Sequence, residues 1–261
     1  MIDYDDFNIS SDKRILHHFT GLRDPLDHEA NLNTLFLILE SEVVIASESD
    51  LRNNGWGTTS YSIHLNDDKS LVDESLIRPK ISCFTDIQPD LIDAHTKTYG
   101  YFGLSFPRHS LIKHGARPVI YIPTRQDDYF GVSGRAMLND LDSIVRSYHP
   151  HTQEDGSHPR TMGRVVDDEK KAFKALASAF ESHFLCYLKP FNSELSDNDD
   201  QYFLKEQEWR RLGNFKFKRN RDVMQIFVAD GYAECVIKRY PQFHDRIVSL
   251  KAHQDNNDMG K

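Results

Sequence analysis

Two glutamates separated by one residue are the part of this chain best suited to chemistry. Residues 206–210 read Glu-Gln-Glu-Trp-Arg, at the edge of an aromatic run near the C-terminus. If residues 203–212 are extended, as we predict, the two-residue period of a strand places Glu206 and Glu208 side by side on one face. Like charges packed so closely repel, which favours an open cleft or a neighbouring cation over a sealed core. The pair is therefore a candidate site for stabilising positive charge or accepting a proton.

The same pattern also has a structural interpretation. Both glutamates would then lie on a solvated strand face and pair with the nearby side chains of Lys205, Arg210 and Arg211. Surface clusters of Glu and Arg are common and contribute little to stability. The local pattern leaves both interpretations open, so the elements that position the pair have to be considered.

Length and composition are those of an ordinary globular protein. The chain has 261 residues, of which 39% are hydrophobic and 28% are charged. We predict one α+β domain over residues 1–253, followed by a flexible tail at 254–261. No apolar run approaches the roughly 20 residues that a membrane-spanning helix needs, and the first residues are acidic where a signal peptide is basic. We therefore expect a cytoplasmic protein that makes no membrane contact.

The charge distribution bears on binding to nucleic acid. A formal net charge of −8 argues against diffuse attraction to a phosphate backbone. A local basic patch nevertheless follows the glutamate pair, where basic and aromatic residues interleave. It consists of Lys216, Lys218, Arg219 and Arg221. This basic patch is either a contact surface for nucleic acid or a solvated basic turn.

The spacing of histidines and cysteines does not indicate metal chemistry. His149, His151 and His158 share a polar loop but have no acid or cysteine at the fixed spacing of a ligand set. The three cysteines of the chain are far apart and odd in number, which indicates reduced, buried thiols. We predict no metal site.

The surrounding sequence predicts alternating strands and helices. Apolar and aromatic runs predict strands at 15–20, 81–85, 101–106, 118–122 and 234–238. Helical spacing of apolar residues and capping signals predict helices at 31–42, 87–98, 107–114, 167–188 and 241–251. In the first strand, the adjacent His17 and His18 must face opposite ways, so that one enters the core or a cleft and the other faces outward.

Four short motifs carry a similarity to a known family, through their order and spacing. They are Leu-His-His-Phe-Thr at 16–20, Ile-Ser-Cys-Phe-Thr-Asp-Ile at 81–87, Tyr-Gly-Tyr-Phe-Gly-Leu-Ser-Phe at 99–106 with Gly-Ala-Arg-Pro-Val-Ile-Tyr at 115–121, and the glutamate motif at 206–210. Together they resemble the AbiGi-type abortive-infection family of bacteria over residues 16–212. No single motif would suffice.

That family in turn resembles a distant version of the ADP-ribosyltransferase fold. In this fold a split, strongly curved antiparallel sheet with flanking helices holds NAD between its halves, so the resemblance implies NAD as substrate. Glu208 is then expected to be the catalytic glutamate, which stabilises an oxocarbenium-like state as the nicotinamide leaves. Glu206 is expected to orient or deprotonate the incoming nucleophile. His18 is expected to hold NAD in position.

The same resemblance implies further cofactor-binding residues. Thr20 lies in the strand of His18, and Thr85 lies in the middle strand that would form a wall of the nicotinamide pocket. Tyr101 is a candidate stacking residue, with a place in the core as the alternative. Arg210 either holds the glutamate pair or a cofactor phosphate, or it forms a simple ion pair at the strand edge.

The resemblance as a whole implies a toxin of bacterial phage defence that transfers ADP-ribose from NAD to a macromolecule without a metal. Nucleic acid bound at the basic patch is one expected acceptor, and a cognate antitoxin or regulatory protein is the expected partner. Two alternatives stay open. One is a non-catalytic antitoxin or regulatory binding protein of the same fold, and the other is an NAD hydrolase that uses water as acceptor.

Overall fold

The chain forms two compact units in a computed structural model. Unit 1 comprises Met1–Ala46, Ser82–Arg117 and Glu206–Lys261, and unit 2 comprises Ser47–Ile81 and Pro118–Lys205. The structure describes residues 14–21, 23–46, 59–65, 71–77, 80–88, 91–124, 182–192 and 203–251, with the separate positions 140, 141, 176, 179, 180, 195 and 196. The predicted tail at 254–261 and the histidine loop at 149–158 lie outside these residues.

Strands outnumber helices among the described residues. The strands are β1 (Ile15–Phe19), β2 (Val43–Val44), β3 (Thr59–Leu65), β4 (Leu71–Ile77), β5 (Ile81–Thr85), β6 (Gly103–Pro107), β7 (Arg117–Pro118), β8 (Ile120–Thr124), β9 (Leu188–Asn192), β10 (Glu208–Leu212), β11 (Phe215–Lys216), β12 (Gln225–Ala229) and β13 (Ile247–Leu250). The helices are α1 (His28–Ser41), α2 (Ile92–Tyr99), α3 (Arg108–Lys113), α4 (Arg219–Asp222) and α5 (Ala233–Arg239). Among the described residues, 3-10 turns span Leu185–Tyr187, Phe203–Glu206 and Pro241–Arg246.

A seven-stranded sheet forms the centre of unit 1, in the order β13-β12-β6-β1-β5-β10-β7. β1 is antiparallel to both of its neighbours, and His17 lies opposite Ser105 of β6 and Thr85 of β5. β12 is antiparallel to β6 but parallel to β13. The α+β class is therefore confirmed, whereas the prediction of a purely antiparallel sheet is wrong because the sheet is mixed.

Aromatic and aliphatic side chains from α1 and the sheet form the core of unit 1. The Asp27 carboxylate caps α1 by accepting a hydrogen bond from the Ala30 amide at 3.0 Å, a favourable arrangement for a helix N-terminus. The rings of Phe84, Phe106 and Phe215 pack edge to face, with centroids no more than 6.0 Å apart. Such pairs contribute stability beyond the area they bury. This core fixes the strands that carry the candidate site.

Unit 2 contains two small sheets among its described residues. β3 pairs with β4 antiparallel, and β8 pairs with β9 parallel, with Ile120 opposite Leu188. In the predicted helix at 167–188, the described positions 176, 179, 180, 182 and 183 are helical. The chain leaves the helix before Leu188, which begins β9, so the predicted end of this helix is too late.

Predicted elements of unit 1 are confirmed from β1 to α3 and wrong near the C-terminus. β1, β5 and β6 match the predicted strands, and α1, α2 and α3 match the predicted helices with shifted ends. The predicted strand at 234–238 is helix α5, and the predicted helix at 241–251 is a 3-10 turn followed by β13. β12 has no counterpart among the predicted strands. The sequence patterns therefore did not predict the two strands beyond β6, which are β12 and β13.

A glycine allows the close approach of β6 to β1. A Cβ at Gly103 would lie 2.6 Å from the carbonyl oxygen of His18 and 3.0 Å from the ring of Phe19. Because neither the backbone nor the packed ring can give way freely, Gly103→Ala should lower the free energy of unfolding by about 1–3 kcal/mol in a urea titration. Ser249→Ala, at an exposed position of β13, should change it by less than about 0.5 kcal/mol. A Gly103→Ala protein as stable as the wild type would contradict the packing.

Candidate functional site

Glu206 lies in a 3-10 turn and not in a strand. The turn ends at Glu206, and the next residue, Gln207, has a φ of 44° in the left-handed region. β10 begins after it, at Glu208. The prediction that residues 203–212 are extended is therefore wrong in its first half. The alternation of a strand does not place Glu206 and Glu208 on one face.

Glu206 is buried, and both its side chain and its backbone accept hydrogen bonds. The side chain is 7% exposed, and its Oε1 accepts a hydrogen bond from the hydroxyl of Tyr99 on α2. Its backbone carbonyl accepts a hydrogen bond from the hydroxyl of Thr85 on β5. The amide of Asp86 donates to the carbonyl of Gln207 at 3.1 Å. These contacts anchor the turn to the end of β5 and to α2.

Glu208 forms a buried ion pair with Arg210. The two residues lie two apart on β10, so their side chains share a face. Arg210 Nε donates to Glu208 Oε1 at 2.7 Å, and Nη2 donates to Oε2 at 3.4 Å. Glu208 is 7% exposed and Arg210 2% exposed. Both carboxylate oxygens therefore accept hydrogen bonds from a guanidinium inside the protein, and the expected solvated strand edge is not found.

The two adjacent histidines of β1 face opposite sides of the sheet, as predicted. His18 is half-buried against the ring of Phe84, with centroids 5.7 Å apart, and its Nδ1 donates to the Cys83 carbonyl at 2.9 Å. Burial lowers the pKa of His18. His17 is 4% exposed and its Nδ1 is hydrogen-bonded to Ser105 Oγ at 3.0 Å. The ring of His17 lines a pocket.

The remaining residues that the resemblance implied as cofactor-binding lie in separate places. The Thr20 hydroxyl contacts the carbonyls of Asn31 and Phe102 at 3.1 and 3.2 Å, which joins the end of β1 to α1. Thr85 contacts the turn of Glu206. Tyr101 is 3% exposed and belongs to the hydrophobic core. Tyr101 therefore lies in the core, which was the alternative to a role as a stacking residue.

A pocket of about 560 Å³ opens within unit 1, beside β1, β12 and β13. Its lining comes also from the connection between β5 and α2, from the start of α2 and from Gln207. Its polar lining includes Arg14, His17, Asp86, Asp93, Gln207 and Gln225, and its apolar lining includes Ile15, Phe227, Val248 and Leu250. The sequence patterns missed this pocket because β12 and β13 were not recognised as strands.

Burial keeps the ring of His17, which lines the pocket, in its neutral form. Desolvation lowers the pKa of His17 from 6.5 to about 4, and a hydrogen bond to the backbone of Ile87 opposes this shift in part. The ring is therefore neutral at pH 7. A neutral imidazole can accept and donate hydrogen bonds, so His17 presents a polar but uncharged surface to the pocket.

Two cationic side chains of the basic patch at residues 216–221 are paired with carboxylates. Lys218 Nζ lies 3.3 Å from Glu42 Oε2, and the Arg219 amide donates to Glu42 Oε1 at 2.9 Å. Arg221 Nε lies 2.8 Å from Asp222 Oδ1. These contacts hold the pKa of Glu42 below its usual value, chiefly through the bond from the Arg219 backbone. The basic patch is therefore less positive than its sequence indicates.

The described residues contain no group of three or more His, Cys, Asp or Glu side chains placed to hold a metal ion. Cys83, Cys186 and Cys235 are not joined by disulfides, but Cys235 is exposed, so the prediction of a buried thiol is wrong there. No helix among the described parts of the chain is long and apolar enough to cross a membrane.

The buried ion pair of Glu208 and Arg210 predicts a large penalty for removing one partner. Arg210→Met leaves a carboxylate inside the protein without its guanidinium, so the free energy of unfolding should fall by about 3–5 kcal/mol. The double variant Glu208→Leu/Arg210→Met should lose less stability than Arg210→Met, because both charges of the pair are removed together. The Lys218 side chain is 71% exposed in its ion pair with Glu42, so Lys218→Met should lower the free energy of unfolding by less than about 1 kcal/mol. Equal losses in the single and double variants would contradict the pair.

The low pKa of His17 predicts a pH dependence of stability. The unfolded chain binds a proton at His17 near pH 6.5, whereas the folded chain resists it until about pH 4, so stability falls as pH falls through this window. A single such group contributes up to about 1.4 kcal/mol per pH unit. His17→Gln should reduce the slope of the free energy of unfolding between pH 6.5 and 4.5. Parallel curves for the variant and the wild type would show that His17 does not contribute.

Comparisons with known proteins assign the chain to a family. The AbiGi family, described as an abortive phage resistance protein and antitoxin, matches residues 60–243, more than half of the chain. A search of curated proteins finds no match, and a search of solved structures finds none either. The family resemblance seen in the motifs is thereby confirmed, whereas the toxin role and the ADP-ribosyltransferase fold gain no support. The chain belongs to the AbiGi family of abortive phage resistance proteins.

Proposed function

We propose that this chain is the antitoxin of an abortive-infection system and that it acts by binding a cognate toxin, without transferring ADP-ribose. The observation that carries the proposal is the match to the AbiGi family over residues 60–243, since that family is described as an antitoxin. The sequence patterns favoured ADP-ribose transfer and kept an antitoxin role as an alternative, and the proposal reverses this preference. Binding now comes first, and NAD chemistry second.

The state of Glu208 supports a non-catalytic role. A carboxylate that stabilises an oxocarbenium-like state must direct an oxygen at the sugar as positive charge develops. Both oxygens of Glu208 instead accept hydrogen bonds from Arg210, and the residue is 7% exposed. A guanidinium already balances the charge that catalysis would use. The ion pair therefore accounts for both residues through the stability of β10.

The charge of the chain supports a protein partner. The net charge is −8, and Lys218 and Arg221 of the basic patch form ion pairs with the carboxylates of Glu42 and Asp222. A protein with a basic surface is attracted by such an acidic chain, whereas a phosphate backbone is repelled. We therefore propose a basic protein toxin as partner, in place of the expected nucleic-acid acceptor.

NAD-dependent chemistry is the second candidate, and one observation favours it. The strands that carry His18 and Glu208 lie in the same sheet with only β5 between them, a separation of about 10 Å between strand axes. The two side chains are thus carried by strands close enough for a shared NAD site. Under this second function, the chain transfers ADP-ribose to a macromolecule or to water, and the transfer requires Glu208.

Coexpression with the toxin of the same abortive-infection locus tests the proposal. The toxin alone should arrest growth, and coexpression of this chain should restore it. Folded Glu208→Gln should still protect, although it loses the charge that balances buried Arg210 and is therefore less stable than the wild type, because no reaction depends on the carboxylate. The two proteins should also co-purify in a fixed ratio.

Two controls separate folding from function in this test. Glu234→Gln, on the exposed face of α5, removes a carboxylate without touching the ion pair and should behave as the wild type. Circular dichroism of each purified variant reports whether it is folded. Growth arrest by this chain alone, relieved by Glu208→Gln in a folded protein, would reject the antitoxin role in favour of catalysis.

A further inference from the structure

We propose that the pocket of unit 1 binds a purine nucleoside. This proposal goes beyond the antitoxin role and does not depend on the toxin. It rests on three features that meet in one cavity of about 560 Å³, a size typical of small-molecule sites. These features are a polar row on the floor, an apolar wall and two carboxylates at the rim.

The polar row crosses three adjacent strands of the sheet. Gln225 of β12, Ser105 of β6 and His17 of β1 are directly opposite one another in register. Ser105 Oγ donates to Gln225 Oε1 at 3.3 Å and is hydrogen-bonded to His17 Nδ1 at 3.0 Å. A buried polar row in a sheet costs desolvation energy that apolar residues would avoid. Its hydrogen bonds also fix the orientation of each group, as a binding site requires.

The donors and acceptors of this floor suit the edge of a nucleobase. The carboxamide of Gln225 is hydrogen-bonded to Ser105 Oγ through one of its two polar atoms, and the other polar atom remains for a ligand. The carboxamide of Gln207 lines the same pocket. Carboxamides match the adjacent donor and acceptor of a purine edge. The neutral ring of His17 adds a polar group without charge.

The apolar wall and the rim suit the rest of a nucleoside. Phe227, Val248 and Leu250 of β12 and β13 line one side of the pocket, and a planar base gains by lying against such a surface. Asp86 and Asp93 line the side formed by α2 and the connection before it. Carboxylates accept hydrogen bonds from the two hydroxyls of a ribose, a role that acidic residues have in dinucleotide sites.

The charge of the lining distinguishes a nucleoside from a nucleotide. Asp86 and Asp93 are two carboxylates of the lining, and the Asp86 carboxylate is 3.7 Å from Arg108. Arg14 also lines the pocket, so the lining has two carboxylates against one guanidinium and is negative as a whole. A phosphate group would place two negative charges beside the aspartates. We therefore expect adenosine to bind more tightly than its monophosphate.

Isothermal titration of the purified full chain with adenosine tests the site. Adenosine should bind saturably, ribose alone should bind at least about tenfold more weakly, and Gln225→Leu should weaken adenosine binding by about tenfold or more. Asp93→Asn should weaken it as well, and because Asp93 is exposed on α2 this variant does not threaten the fold. Gln242→Leu, at an exposed glutamine of the turn Pro241–Arg246, should bind as the wild type.

The same titration can overturn the proposal. No saturable heat from adenosine up to about 10 mM in the folded wild type would reject a nucleoside site. Equal affinity in the wild type, Gln225→Leu and Asp93→Asn would place any binding elsewhere. Ribose binding as tightly as adenosine would reject recognition of the base. None of these results affects growth protection by coexpression, so the nucleoside site and the antitoxin role fail separately.

Discussion

Pairing of β1 along both of its edges is the constraint on which unit 1 depends. β1 lies between β6 and β5, so its side chains can face only the two sides of the sheet. His17 and His18 are adjacent and therefore divide between the faces. One ring joins the polar row under the pocket, and the other packs against Phe84. A register shift of one residue would exchange these environments.

The second contact on which unit 1 depends is the ion pair of Glu208 and Arg210. It allows two charged side chains of β10 to lie inside the protein. A buried carboxylate without a partner is costly, and a bidentate guanidinium offsets much of that cost. This explains why an acidic motif that looks catalytic in sequence lies inside the protein. Together with the antitoxin description of the AbiGi family, it supports a protein that acts by binding.

The sequence predicted the elements whose signals are local and failed where tertiary contacts decide. β1, β5 and α1 were recognised because their apolar residues follow a strand or helix period. The stretch at 234–238 reads as a strand through its β-branched residues, yet Val236 is its buried position and Lys238 and Arg239 favour a helix C-terminus. β13 depends on parallel pairing with β12. Gln207 has a positive φ that no sequence pattern predicted. The pocket was missed because tertiary contacts form the segments that line it.

The central claim is that Glu208 stabilises the fold and does not catalyse. Release of nicotinamide from NAD by the purified chain, followed by chromatography with and without the cognate toxin, tests this claim most directly. We predict no release above a protein-free control, and the same result for the wild type and Glu208→Gln. Release by the wild type that disappears in folded Glu208→Gln would contradict the claim and restore NAD chemistry as the function.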